Sequence, residues 1–313
     1  MGKTKIIELT LYKLKFLSSV HLGTREGFFE SCDVILHSDT FFSAFCNSFH
    51  ILYGRENLDA LLKRFLSGDL PFLVSSAFPF SEDKLFFPVP LNQMPSDKDY
   101  KKIEYVEKSQ FEKLLHGECI EKIAKPEDKQ FRLIINTPRI AINRINNSPG
   151  ENFFFFSEMF FTVDSGLFFV VDFKDAAFKK QFDATLNLIS QEGIGADRTC
   201  GKGHFNVVEI SKIEFMLSAD TDGSVLLSLY HPEEKEFGQL KDGFYQIIER
   251  KGYIYSPYAR NYRRKSVRMV EEGSVVPGNV VGCLVDITPE IFDQHKVYRY
   301  GFALSLPCKT GAE

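Results

Sequence analysis

Apolar residues recur along the first 212 residues with two different periods, and the order in which those periods alternate restricts the folds open to this chain. Ile7, Leu9 and Leu11, then Leu14 and Phe16, alternate as in a strand. Phe42, Phe45, Phe49 and Leu52 recur at helical spacing after Ser38 or Asp39, either of which suits a helix start, and Gly54 closes that stripe. Leu58, Leu61, Leu62 and Phe65 form a second short helical stripe, from Asn57 as cap to Gly68. Phe131 to Ile142 and Asn152 to Val163 read as two strands of a long hairpin with a turn-rich tip from Arg144 to Gly150. Gly166 to Phe173 reads as a buried strand, and Ala176 to Ser190 as a helix with Phe178, Phe182, Leu186 and Ile189 on one face. Phe205 to Ile210 returns to the strand period. Strand, helix, strand, strand, helix, strand is the order of a ferredoxin-like unit.

Residues 71–130 interrupt this order. Pro71, Pro79, Pro88, Pro90 and Pro95 punctuate a loop-rich stretch, and the highly charged run from Lys98 to Lys129 reads as a helical insertion with a solvated face. Residues 213–313 are strand-rich, at 224–230, 244–255, 264–271, 280–287 and 297–306. The chain of 313 residues is long enough for about two domains. The expectation is an α+β chain of tandem ferredoxin-like (RRM-like) units. The first spans 1–212, with the insertion 71–130 and a glycine-rich loop at 193–203; the second, 213–313, is strand-rich and degraded.

The glycine loop runs Gly193-Ile194-Gly195-Ala196-Asp197-Arg198-Thr199-Cys200-Gly201-Lys202-Gly203-His204. Glycine admits positive φ and close backbone approach, so amides can reach a phosphate, and Arg198, Lys202 and His204 supply cations or donors beside them. Two familiar phosphate motifs do not fit. A Walker loop needs four residues between its glycines, whereas five separate Gly195 from Gly201, and Gly203 stands where a Ser or Thr is required. A dinucleotide fingerprint follows a strand and opens a helix, whereas this loop follows a helix and opens a strand. A long turn with solvated charges is the plainer alternative.

Two further stretches are basic. From Gln130 to Gly150 there is no acid, but there are Arg132, Arg139 and Arg144. In the second half Tyr258, Arg260, Tyr262, Arg263, Arg264, Lys265 and Arg268 fall together without an acid. Cations interleaved with aromatics can hold a nucleic-acid backbone and stack on bases, or meet an acidic protein partner. The net charge is −4, so a nucleic-acid site on this chain is a local patch. Six cysteines are scattered with no C-x-x-C pair, which argues against a zinc site or a disulfide framework and suits a reducing cytoplasm. No secretory leader, membrane span, metal cluster or cofactor motif is expected from the sequence.

The glycine loop closing a ferredoxin-like unit after its second helix resembles the hallmark of the RAMP superfamily of CRISPR proteins. Leu36-His37-Ser38-Asp39-Thr40-Phe41-Phe42-Ser43-Ala44 is similar to the helix start of the fourth Csm subunit of type III-A effector complexes. Phe87-Pro88-Val89-Pro90-Leu91 is similar to that family's Pro-containing strand, and Pro138 to Arg144 followed by Phe155 to Phe161 to its hairpin. Ala196 departs from the pattern, since many such loops carry another glycine there. The resemblance implies a non-enzymatic subunit that holds the 5′ handle of CRISPR RNA and joins the large palm-domain Csm subunit to the backbone Csm subunits. It implies that Gly193, Gly195, Arg198, Gly201, Lys202, Gly203 and His204 hold the handle, with Ser38 and Asp39 facing the same groove. His21 and Gly23 would border it, and Arg139 and Arg144 would lie on a hairpin reaching along the guide. Neither a membrane nor a small-molecule substrate is implied. Two alternatives stand beside this reading: an endoribonuclease using His21 or His37 as acid or base, and an anion-binding protein unrelated to RNA.

Overall fold

β1 (Thr4–Phe16) lies inside an antiparallel sheet because both of its faces are apolar. Tyr12 and Leu14 belong to one core, Leu9 and Leu11 to another on the opposite face. β8 (Ser165–Phe173) divides its side chains in the same way, Leu167, Phe169 and Val171 from Phe168 and Val170. β1 pairs with β8 on one side and with β9 (Phe205–Ser218) on the other, with a register shift between Lys13 and Leu14. The computed structural model describes residues 4–24, 28–93, 103–118, 131–143, 145–146, 148–256, 258 and 262–310.

The sheet is completed by β2 (Phe72–Val74), β3 (Phe78–Ser81), β4 (Lys84–Pro88) and β5 (Tyr105–Glu107). Its order is β5-β4-β3-β8-β1-β9, with β2 also on β8. Two helices cover the first face. α1 (Ser38–Leu66) is broken at Gly54 (φ 81°, ψ 173°), which lets one run of sequence make two helical segments in different directions. The second segment contains Asn57 rather than starting from it, and the Asn57 side chain donates to the Tyr53 carbonyl. α2 is Lys108–Leu115, and α3 (Lys179–Glu192) packs beside α1 through Phe45, Phe178 and Phe182.

The charged insertion departs from its expected solvated face. β5 extends the sheet, and Phe111, Leu114 and Leu115 of α2 are buried in the second core, where Phe111 stacks on Phe87 at 4.9 Å. Most of the rest of 94–130 lies outside the described residues. β6 (Arg132–Asn143) and β7 (Ser148–Phe161) form the expected hairpin, a two-stranded ribbon apart from the main sheet.

The last third contributes short strands. β10 (Gly223–Leu226) pairs with β13 (Val275–Pro277) and β16 (Ser305–Cys308). β11 (Ile247–Arg250) pairs with β12 (Val267–Val270), and β14 (Gly282–Asp286) with β15 (Tyr298–Phe302). Val225, Leu227, Val275, Leu304 and Leu306 close the second face of the main sheet. Tyr300 and Phe302 reach round to the first core, with Tyr300 4.8 Å from the ring of Phe42. The C-terminal residues therefore pack against both faces of the N-terminal sheet. No helix of the described residues is long and apolar enough to cross a membrane.

Candidate nucleic-acid interface

The glycine loop is held against the loop that follows β1, and close backbone approach requires Gly195 and Gly203. The Gly203 amide donates to the Ser19 carbonyl at 2.8 Å, Ala196 to His21 at 3.0 Å, and Ile194 to Gly203 at 3.0 Å. A Cβ on Gly195 would meet the His21 carbonyl oxygen at 2.5 Å, and one on Gly203 would fall inside contact distance of the Ile194 carbonyl. Gly193 turns the chain out of α3 with φ 80°, and its amide returns to Ile189. The amides of Gly193, Gly201 and Gly203 thus donate to protein carbonyls, to Ile189, Arg198 and Ser19 respectively. Gly193, Gly195 and Gly203 serve close packing, and the loop presents outward the side chains between them.

Arg198 is the outward cation. Its guanidinium lies over the Tyr255 ring at 4.6 Å, and among the described residues it has no carboxylate partner. Tyr255 itself is 67 % exposed, so the pair is a stacked surface open to solvent. Together they wall a cleft of about 290 Å³. The loop supplies Gly195, Ala196 and Arg198, and the segment after β1 supplies His21 and Gly23. From the second half come Lys251, Tyr255 and Arg264. A wider groove of about 620 Å³ shares Ser43, Asn47, Tyr255 and Arg264 with it and runs along α1 toward Phe292 and Tyr298.

The floor of the cleft is a buried charge network. Asp39 is wholly enclosed; its oxygens accept from Arg250 at 3.0 Å and pair with Arg299. Burial opposes its ionisation, but the two guanidinium charges prevail and hold the carboxyl well below the usual range. His37 is equally enclosed, between Glu272 at 2.9 Å and Asp33 at 3.1 Å. Burial favours the neutral ring, yet the Glu272 charge and the two hydrogen bonds push its pKa up to about 10. Ser38 is buried too: its amide donates to Ser76 Oγ and its hydroxyl accepts from the Leu229 amide. The residue capping α1 is His37, with no side-chain cap bond, so the expected capping by Ser38 or Asp39 is corrected. These side chains tie the helix start to the C-terminal half.

His21 sits in the wall. Its Nδ1 donates to the Ser157 carbonyl at 2.7 Å, and its ring packs on Phe156 at 4.6 Å. Gly23 pairs with Cys32 across the same loop. His204 is half-buried, with its amide donating to Ser18 Oγ and its carbonyl accepting from Leu17.

The other two cations assigned to this region are engaged inside the protein. Lys202 reaches Glu158 at 2.8 Å and Ser19 at 2.9 Å. Arg139 lies over the Phe156 ring at 3.7 Å and pairs with Asp197, with Glu158 at 3.9 Å. Arg144 lies outside the described residues.

The basic run of the second half divides. Tyr258 and Tyr262 are exposed, Arg263 lies over Tyr253 at 5.6 Å, and Arg264 lines both grooves. Lys265 is fixed through its amide to the Ile287 carbonyl, and Arg268 projects from β12 opposite Glu249. Arg260 lies outside the described residues. Tyr255, Arg250, Arg299 and Glu158 escaped the reading of the sequence. Tyr255 stands three residues before Tyr258, and Glu158 is the charge inside a Phe-rich strand, so each left a local trace. Arg250 and Arg299 left none, because their partner Asp39 is more than two hundred positions away.

Comparison with known proteins agrees with this architecture. Residues 219–308 match the family model described as the CRISPR Csm4 C-terminal domain. The chain is 24 % identical over 370 aligned residues to the Methanocaldococcus jannaschii protein described as CRISPR system Cms protein Csm4, covering 96 % of this chain and 97 % of that one. Among solved structures it resembles a chain of the Csm3–Csm4 subcomplex of a type III-A CRISPR-Cas interference complex, with a TM-score of 0.65 at 19 % identity, covering 96 % of this chain and 99 % of the other. It also resembles a chain of a Csm1–Csm4 cassette in complex with pppApA, with a TM-score of 0.63 at 21 % identity, covering 97 % and 98 %. Domain match, near full-length similarity and shared fold converge: residues 219–308 match the Csm4 C-terminal domain, and over nearly its whole length the chain is similar to Csm4 proteins of CRISPR systems.

Proposed function

We propose that this chain is a non-catalytic RNA-binding subunit of a type III-A Csm complex that holds the 5′ handle of CRISPR RNA in the cleft between its two halves. The observation that carries the reading is Arg198 stacked over the exposed Tyr255. A guanidinium without a carboxylate partner attracts a phosphate, and an open aromatic face takes an unpaired base. Arg198 of the glycine loop and Lys251, Tyr255 and Arg264 come from different halves of the chain, so a single strand would be gripped from both sides.

Partner subunits follow from the relatives, which were solved with Csm1 and with Csm3. On this reading the chain joins the large palm-domain subunit to the backbone subunits. On the same reading residues 1–212, with the segment 71–130, would correspond to one ferredoxin-like unit and 213–313 to a second, degraded one, the two sharing their cores rather than standing as separate domains. The state of His37 favours binding over cleavage by that residue. His37 is held as imidazolium by Asp33 and Glu272, so it has no lone pair with which to take a 2′-OH proton.

The test is co-expression with the partner subunits and sequencing of retained RNA, then fluorescence anisotropy with that RNA. Replacing both Arg198 and Tyr255 by Ala should weaken binding by roughly tenfold or more, since one stacked base contributes about 1–3 kcal/mol. Equal affinity and salt dependence in the parent and this variant would discard the cleft as the RNA site.

A further inference from the structure

Glu158 occupies a position whose donors suit a phosphate. One oxygen takes Lys202 Nζ at 2.8 Å and the Ser19 hydroxyl at 2.8 Å, and the other lies 3.9 Å from the Arg139 guanidinium. An ammonium, a guanidinium and a hydroxyl converging on a paired-oxygen anion are the same partners that recognise a phosphodiester. The arrangement is crossed between two elements. Lys202 belongs to the glycine loop and its carboxylate to the hairpin root, whereas Arg139 belongs to the hairpin and its carboxylate, Asp197, to the loop. Each element thus holds the cation of the other. Lys202 and Arg139 remain partly open, with side chains 28 % and 31 % exposed, while Glu158 is 8 % exposed. Burial works against its charge, but the hydrogen bonds from Lys202 and Ser19 outweigh it and keep the carboxyl below its ordinary range. Its neighbours along the strand include Phe156 and Met159, both fully enclosed, so a carboxylate here is not required for packing.

We propose that Glu158, together with Asp197, is an internal counter-anion that an RNA backbone must displace. The inference rests on the reading that RNA occupies the cleft, and it names residues beside the cleft lining, which itself takes Gly195, Ala196 and Arg198 from the same loop. A single free phosphate that took Lys202 would leave Glu158 buried without its cation, a costly state. A strand that also engages Arg198 and Tyr255 offsets that cost through several contacts at once, so the crossed pairs favour polymer over monomer. Displacement also unfastens the hairpin root from the loop, which couples occupancy of the cleft to freedom of β6 and β7.

The experiment uses the full chain and two variants. Glu158→Gln keeps the side-chain shape and an acceptor for Ser19 but removes the charge. Asp197→Asn keeps a residue that tolerates the left-handed backbone found there (φ 57°). A fluorescein-labelled single-stranded RNA of mixed sequence is titrated across a range of salt, and hydrogen exchange of Arg132–Phe161 is followed with and without it. Each variant should bind roughly tenfold tighter, with a slope of log K against log salt steeper by about one, as for one additional neutralised phosphate. Exchange at the hairpin root should rise in the variants to the level the parent reaches only with RNA. Parent-like or weaker RNA binding with an unchanged slope in both variants overturns the proposal. Should Glu158→Gln fail to fold, Asp197→Asn, on the more open pair, decides alone. If neither the parent nor the variants bind RNA, the reading of the cleft falls and this proposal with it; that result is distinct from RNA binding that ignores the two carboxylates.

Discussion

Gly201 and Gly203 stand two positions apart with similar backbone angles, φ 80° and φ 73°, yet they carry different burdens. A Cβ on Gly201 would meet nothing within 4 Å, whereas one on Gly203 would collide with the Ile194 backbone. Gly201→Ala should therefore cost only about 1–2 kcal/mol, the left-handed penalty for an ordinary residue. Gly203→Ala should cost clearly more, because loop and neighbour must also separate. Denaturant unfolding of both variants checks this, and equal costs would mean that the close approach is not needed. Such a ranking was out of reach of the sequence, where both glycines read as parts of one phosphate cradle. The loop itself was legible because glycine spacing is local; its packing against Ser19 and His21 was not, since those residues lie about 180 positions away.

At the scale of elements, the start of α1 is joined to β11 and to the residues around Glu272 by ionised groups, and this gives a pH signature. Burial and the Arg250 charge disfavour protonated His37, but Glu272 and Asp33 outweigh them and raise its pKa from an unfolded value near 6.5 to about 10. Between those values the folded chain binds a proton that the unfolded chain does not, so stability falls as pH rises, by up to about 1.4 kcal/mol per unit. The contribution is complete below about pH 6.5 and lost through about pH 10. Melting of the parent from pH 7 to 9 should show this decline, and His37→Gln should flatten it. Parallel curves would show that His37 does not carry the proton. The order of elements around this junction was legible, because Phe42, Phe45 and Phe49 mark one face of a helix without tertiary information. α2 was misread because lysines and glutamates dominate residues 98–129, and the short stripe of Phe111, Leu114 and Leu115 was outweighed by them.

For the whole molecule, the division at residue 212 that the strand and helix periods suggest does not separate two independent cores. Val225, Leu227, Val275, Leu304, Leu306 and Cys308 share one cluster with Leu9, Phe168 and Phe215, and Tyr300 and Phe302 share the other with Phe42 and Phe65. Removing the C-terminal third would expose both faces of a sheet built to be covered. A fragment ending at Ser218 is expected to aggregate or to melt without a cooperative transition in circular dichroism. A sharp melt near that of the full chain would show that the first unit stands alone. Periodicity marks which residues are buried but not what covers them, so the sequence could suggest two units without revealing that they complete each other.

The Asp39–Arg250–Arg299 cluster has an evolutionary corollary. Loss of the carboxylate alone would strand two enclosed guanidinium groups, and loss of either arginine would leave the enclosed carboxylate with one cation in place of two, so single changes at these positions should be costly. Lineages that abandon the cluster should do so by concerted replacement with uncharged residues. Positions 39, 250 and 299 should then co-vary across homologues as one character, even where the surrounding loops have diverged.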